Sequence, residues 1–155
     1  MTVNTRLFGE ISVEDDKIIT LPSGIIGFPD LTKFTFIHDS EKEGGGSIIW
    51  FQSLDEPQFA LPVLDPISIK PDYNPTINDE LLKPLGELTE ENLYVVVTIK
   101  VPRDIKEMTI NLRAPIIINT DTLLGGQIIV EDEALPVRYK IYDLLKKAGK
   151  QYGGE

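Results

Sequence analysis

Apolar residues in this chain come in short bursts, separated by Gly, Pro, Asp and Asn. That rhythm predicts strands joined by turns. Val3 to Phe8 alternates and stops at Gly9. Ile11-Ser12-Val13 and Ile18-Ile19-Thr20-Leu21 flank Glu14-Asp15-Asp16-Lys17, a spacing that predicts a hairpin. Leu21 to Asp30 contains Pro22, Gly24, Gly27 and Pro29, which neither a regular helix nor a central strand accommodates, so an ordered apolar loop is expected. Lys33 to Ile37 alternates again. Ile48 to Leu54 and Phe59 to Leu64 have strand length and are joined by a tight turn at Asp55-Glu56-Pro57-Gln58, with Pro62 expected at an edge or bulge. Tyr94 to Val101 is rich in β-branched residues and predicts a central strand. Met108 to Leu112, Ile116 to Asn119 and Gln127 to Glu131 complete the sheet, with a turn expected at Gly125-Gly126.

Helical signals are few. Asn78-Asp79-Glu80-Leu81-Leu82-Lys83 predicts a short capped helix ended by Pro84 and Gly86, and Thr89 to Asn92 predicts a second cap. In the tail, Val137, Ile141, Leu144, Leu145 and Ala148 recur at helical spacing, with Arg138, Lys140, Lys146, Lys147 and Lys150 mostly off that stripe. This basic amphipathic helix either packs back onto the body or detaches to bind a partner. The pattern as a whole predicts an all-β single domain, a barrel or closed sandwich of about ten short antiparallel strands with one or two short helices. The body is expected over residues 1–137 and the basic helix or tail over residues 138–155.

Composition narrows the function. The chain has 155 residues, enough for one real core. It has no cysteine, which removes disulfides, thiolate metal sites and cysteine nucleophiles and fits a reducing compartment. The first residues lack the apolar core of a signal peptide, and no run is long enough to span a bilayer as a helix, so a cytoplasmic protein is expected. The formal charge of −10 repels phosphate backbones and anionic lipid. Direct contact with nucleic acid or membrane is therefore not expected, and a basic protein partner is favoured.

Reactive constellations are sparse. The single histidine, His38, ends a strand beside Asp39-Ser40, and no Gly-x-Ser-x-Gly elbow is present. Gly44-Gly45-Gly46 is followed by Ser47-Ile48-Ile49, without the lysine of a phosphate-binding loop, and predicts a mobile hairpin tip. Asp15 and Asp16 lack the pattern of a calcium-binding loop. No cofactor or metal is expected. A carboxylate pair among Asp55, Asp65 and Asp72 would suit a hydrolase, although Asp in Pro-rich turns commonly bonds its own backbone. Trp50, Phe51, Phe28 and Tyr73 are candidate contact aromatics. Phe28 and Tyr73 stand out because they fall in loops. The residues favoured for partner binding are Phe28, Pro29, Asp55, Glu56, Asp65, Asp72 and Tyr73, chosen for charge and loop position.

The motif series resembles the FliW family of flagellar assembly factors. Phe8-Gly9-Glu10-Ile11 is similar to that family's opening strand, and Pro22, Gly24, Ile25, Gly27 and Phe28 to its Pro-x-Gly-(Leu or Ile)-x-Gly-Phe loop. Gln52-Ser53-Leu54-Asp55, Asp65-Pro66 and Pro71-Asp72-Tyr73 follow in the expected order. Asn111-Leu112-Arg113-Ala114-Pro115-Ile116-Ile117-Ile118-Asn119 resembles the Asn-Leu-x-Ala-Pro-Ile-x-Ile-Asn signature, and Gly126-Gln127-Ile128-Ile129 the segment after it. The resemblance reaches to about Arg138. There Val137-Arg138 continues as Tyr139-Lys140-Ile141 instead of ending in a Val-Arg-His-Pro-Leu-like sequence. The resemblance implies a non-enzymatic regulator that binds the RNA-binding repressor CsrA away from its RNA site and relieves repression of flagellin translation. It also implies alternative binding to the C-terminal region of flagellin, in a partner-switching feedback. The bottom-up reading adds that a closed barrel of this size is expected to be a monomer when free. Two other readings stay open: a flagellin chaperone without a translational role, and a carboxylate-dependent hydrolase.

Overall fold

The computed structural model describes residues 1–38, 48–132 and 134–144. Eleven strands are found among them: β1 (Thr2–Thr5), β2 (Gly9–Ser12), β3 (Ile19–Thr20), β4 (Lys33–His38), β5 (Ile48–Ser53), β6 (Ala60–Leu64), β7 (Leu93–Lys100), β8 (Thr109–Ile110), β9 (Ile116–Asn119), β10 (Leu124–Gln127) and β11 (Tyr139–Lys140). Between β6 and β7 lies a short α-helix, α1 (Asp79–Leu82), capped by the Asn78 side chain, which accepts from the Glu80 N–H.

Closure comes from β7, which is long enough to serve two neighbours on one edge. Its first half pairs with β9, Leu93 to Asn119 through Val96 to Ile116, and its end pairs with β8. Its other edge meets β6. The order β7-β6-β5-β4-β3-β10-β9 therefore returns to β7 and forms a seven-stranded barrel, with β8 and β11 extending from the end of β7. All pairings are antiparallel except β3 with β10. A closed barrel removes most of the unpaired edge that a flat sheet would expose.

The interior is aliphatic and aromatic. Phe34 and Phe51 stack at 4.3 Å with their planes 3° apart, surrounded by Leu21, Val63, Val96, Ile116 and Ile118. Burial of each such side chain contributes roughly 1.5–3 kcal/mol. The run Ile116-Ile117-Ile118 is apolar throughout because β9 is covered on both faces. Ile116 and Ile118 point into the barrel, while Ile117 packs outside it with Leu85 and Ile128. Another outer cluster joins Leu64, Tyr73, Val97, Ile110, Leu112 and Ile141.

Two expected turns fall elsewhere. The first hairpin is β1–β2, with Thr5 opposite Gly9. Gly9 has φ +64°, and the Thr5 hydroxyl donates to the Gly9 carbonyl and accepts from the Phe8 N–H, so the chain reverses there. Glu14 to Lys17 instead forms a single 3₁₀ turn leading into β3. Gly125-Gly126 lies within a strand and not in a turn: Gly125 pairs with Ile118 and Gly126 with Ile117. The reversal occurs just before, at Leu123, which has φ +59°. Gly125 sits in close packing. A Cβ there would lie 3.0 Å from the Ile117 carbonyl oxygen and 3.0 Å from Ile118 Cγ1.

Thr89 to Asn92 is a reciprocally bonded turn with no helix behind it. Pro62 fits its strand because pairing of β6 with β7 extends only over Val63 and Leu64. The Ser53 N–H donates to the Phe59 carbonyl, and the alternation this sets turns the Pro62 nitrogen away from β5. Helix was expected from residue 138, but Tyr139–Lys140 is a strand on β8 and Ile141 is fully buried. A helical turn begins at residue 142. The tail beyond residue 144 and the Gly44-Gly45-Gly46 segment lie outside the described residues.

Candidate protein-interaction surface

Past Val63, β6 and β7 are no longer paired. Beside this divergence lies a groove of about 440 Å³. Its apolar lining includes Ile25, Ile26, Phe28, Phe59, Leu61 and Val137. Of these, Ile26, Phe28 and Val137 are about half exposed. Phe28 lies over Phe59, with ring centroids 4.7 Å apart. Lys100 and Arg138 also line the groove, so an acidic protein presents cations here.

The loop that carries Phe28 is rigidly built. Ile25 and Phe28 exchange backbone hydrogen bonds of 2.7 and 3.2 Å. Gly24 has φ +68°, and a Cβ on it would lie 2.5–2.6 Å from the backbone of Phe28 and Pro29. Only glycine fits. The loop is tied to the far wall by Gln127. Its Oε1 accepts from the Ile26 N–H at 2.9 Å, and its Nε2 donates to the Ala114 carbonyl at 3.1 Å. The glycine-rich loop, the Asn111–Asn119 segment and the Gly126-Gln127 segment, remote in sequence, thus meet at one place.

The seven residues singled out from sequence divide into two groups. Phe28 is exposed and lines the groove, and Pro29 next to it is exposed. Asp55 sits behind their loop, where its Oδ2 accepts from the backbone N–H groups of Thr32 and Lys33 at 2.7 and 2.9 Å. Glu56 closes its own turn, accepting from the Gln58 N–H. Asp65 stands at the opposite end of β6 and caps the following 3₁₀ turn through the Ile67 N–H. Asp72 is exposed and pairs with Lys70 at 2.9 Å, and that hydrogen bond lowers its pKa.

Tyr73 requires a correction. It belongs to a loop but is only 5 % exposed, and its hydroxyl donates to the Leu112 carbonyl at 2.6 Å. Burial pushes its pKa up to about 12. It holds the outer cluster together and offers no surface to a partner.

The carboxylates do not converge. Asp55 and Asp65 are separated by the length of β6, roughly 15 Å of strand; Asp55 is turned toward the Thr32 and Lys33 amides and Asp65 toward the Ile67 amide. Among the described residues, no three His, Asp or Glu side chains are grouped to hold a metal. No helix among them is long and apolar enough to cross a membrane. Sequence reasoning missed Ile26, Phe59 and Val137 as groove residues. The available signal was an apolar side chain inside, or next to, a stretch of Pro and Gly.

Comparison with known proteins agrees with this architecture. The family described as FliW protein matches residues 2–141. The flagellar assembly factor FliW of Lachnospira eligens is 52% identical over 95% of this chain and 98% of its own length. That of Lachnoclostridium phytofermentans is 45% identical, covering 100% of this chain and 99% of its own. A crystal structure of the flagellar assembly factor FliW superposes with a TM-score of 0.82 at 25% identity, over 92% of this chain and 97% of that one. With family match, full-length relatives and barrel in accord, this chain belongs to the FliW family of flagellar assembly factors.

Proposed function

We propose that this protein is a cytoplasmic, non-enzymatic regulator, monomeric when free, that binds CsrA and flagellin in turn. Capture of CsrA relieves repression of flagellin translation, and flagellin bound through its C-terminal region competes for the protein until it is secreted. The observation that carries this reading is the preorganised apolar groove at Phe28, to whose lining each of the three motif segments contributes. Pre-ordering of such a loop lowers the entropy cost of docking a polypeptide. The charge of −10 adds long-range attraction to a basic partner and requires no mimicry of RNA.

Antagonism away from the RNA site requires different affinities for free and RNA-bound CsrA, and RNA must then weaken this protein's binding by the same factor. Fluorescence anisotropy of a labelled leader RNA on CsrA tests the reading. Added protein releases the RNA, and prior saturation with flagellin abolishes the release. Unchanged anisotropy alongside flagellin binding would instead leave a chaperone without a translational role.

A further inference from the structure

Gly126 is a glycine that the fold does not require. It sits in β10 with no positive φ, and a Cβ built on it meets nothing within 4 Å. A glycine inside a strand serves a bulge, a tight bend or the close approach of another chain or ligand. Outside Gly126 lies a hollow of about 370 Å³ walled by Pro22, Ile26, Leu81 and Ile129. A second hollow, of about 450 Å³, shares Leu81 and Ile129 and continues past Glu131 and Asp132. Leu81 is 51% exposed and Ile129 60%. Glu131 and Asp132 line the second hollow, and Asp79 and Glu80 directly precede Leu81 in α1. Lys83 is paired with Glu80 at 2.9 Å. An apolar trough floored by bare backbone and edged with carboxylates is complementary to an apolar face flanked by cations.

We propose that the Gly126 trough is a docking surface for a basic amphipathic segment of a protein partner. It is distinct from the Phe28 groove and separated from it by the wall that Ile26 and Gln127 share. The proposal rests on the reading of this protein as a binder of polypeptides and adds the face and chemistry of one contact. Apolar side chains of the segment sit against Leu81 and Ile129, its backbone approaches Gly126, and its Lys or Arg residues face the rim.

The test is an amide-shift titration of the full-length ¹⁵N-labelled protein with a synthetic Leu/Lys amphipathic peptide. A Leu/Glu peptide of the same pattern serves as control. Saturable shifts confined to Leu81 and residues 125–131, absent with the Leu/Glu peptide, are expected. Gly126→Val adds bulk to the trough floor at a position where a Cβ meets nothing within 4 Å, so it is expected to keep the melting temperature and to weaken the peptide at least tenfold. Shifts scattered over the acidic surface, or an unchanged affinity in G126V, would overturn the proposal. So would trough amides, at Leu81 and residues 125–131, that move in the ligand-free protein when Lys146 and Lys147 are both changed to Glu, which would make the chain's own tail the occupant. Concentration-dependent dimers lost in G126V would assign the face to a second copy and overturn it as well. CsrA and flagellin titrated in parallel separate this proposal from the functional reading. Equal binding to wild type and G126V sinks only the trough, whereas binding of neither to wild type sinks the reading of partners.

Discussion

Gln127 accepts the Ile26 N–H at 2.9 Å across 101 positions of sequence, and its other amide atom donates to Ala114. One side chain thereby fixes the Phe28 loop against the Asn111–Asn119 segment. Gln127→Leu keeps the volume and removes both bonds. At about 0.5–1.5 kcal/mol each, the loss is about 1–3 kcal/mol, or roughly 2–4 °C of melting temperature per kcal/mol at this size. Hydrogen exchange at the Ile26 amide should accelerate more than exchange in β5. Equal acceleration everywhere would mean that Gln127 does not act on the loop.

Asn119 is the most heavily used buried polar side chain at the end of β9. It is 1% exposed, donates to the Leu85 and Glu87 carbonyls, and accepts from the Asp121 and Thr122 N–H groups. Asn119→Ala takes the acceptor from the Asp121 and Thr122 N–H groups, while the Leu85 and Glu87 carbonyls keep Thr122 Oγ1 and Asn92 Nδ2 as donors, and is expected to cost about 2–4 kcal/mol. Urea denaturation measures it, and a loss below 1 kcal/mol would show that water replaces the side chain.

The neighbouring glycines of β10 should behave oppositely. Gly125→Ala drives a methyl into Ile117 O and Ile118 Cγ1 and lowers the melting temperature. Gly126→Ala meets nothing, gains strand propensity and holds or raises it. Calorimetry of the two variants side by side decides the matter.

Tyr73 ties stability to alkaline pH. Its folded pKa, about 12, lies above the ordinary tyrosine value of 10.0. Between those values the unfolded chain loses the proton and the folded one keeps it, so stability is full below pH 10 and falls as pH rises toward 12. Absorbance titration should show Tyr73 resisting ionisation until unfolding, with Tyr94, whose pKa burial also raises, titrating late as well. Tyr73→Phe removes that late transition and costs about 1–2 kcal/mol through the unpaired Leu112 carbonyl.

Asp72 and Asp55 are both exposed acids, yet they should separate in kinetics and stability. Asp72→Lys breaks only a surface pair with Lys70, so the melting temperature stays put while association with a basic partner slows at low salt. Asp55→Ala frees the Thr32 and Lys33 N–H groups and should lower the melting temperature. Stopped-flow association paired with thermal melts distinguishes the two.

Local pattern carried the strands and the ordered loop. β4 to β7 and β9 follow from alternation and β-branched content, and the two prolines and two glycines of residues 22–29 forced an irregular segment. Non-local geometry was not legible. The parallel β3–β10 contact and the switch of β7 from β9 to β8 depend on how the sheet curls. Gly125-Gly126 carries a turn's composition, but one glycine sits in close packing and the other faces open space. Tyr73 was misread because loop membership does not fix burial: the loop folds over Leu112, and the ring goes inside. Of the acids chosen for charge, Asp55, Glu56 and Asp65 are turn caps and clamps and Asp72 alone is held only by a surface pair, a difference that a string of letters does not separate from partner contact.

The central claim is that this barrel works by holding one polypeptide at a time. Sedimentation velocity of the protein with purified CsrA and flagellin, at micromolar concentration and low salt, tests it most directly. The account predicts a heavier complex with each partner alone and displacement of CsrA as flagellin is added. A boundary that stays at the free position with both partners would contradict it.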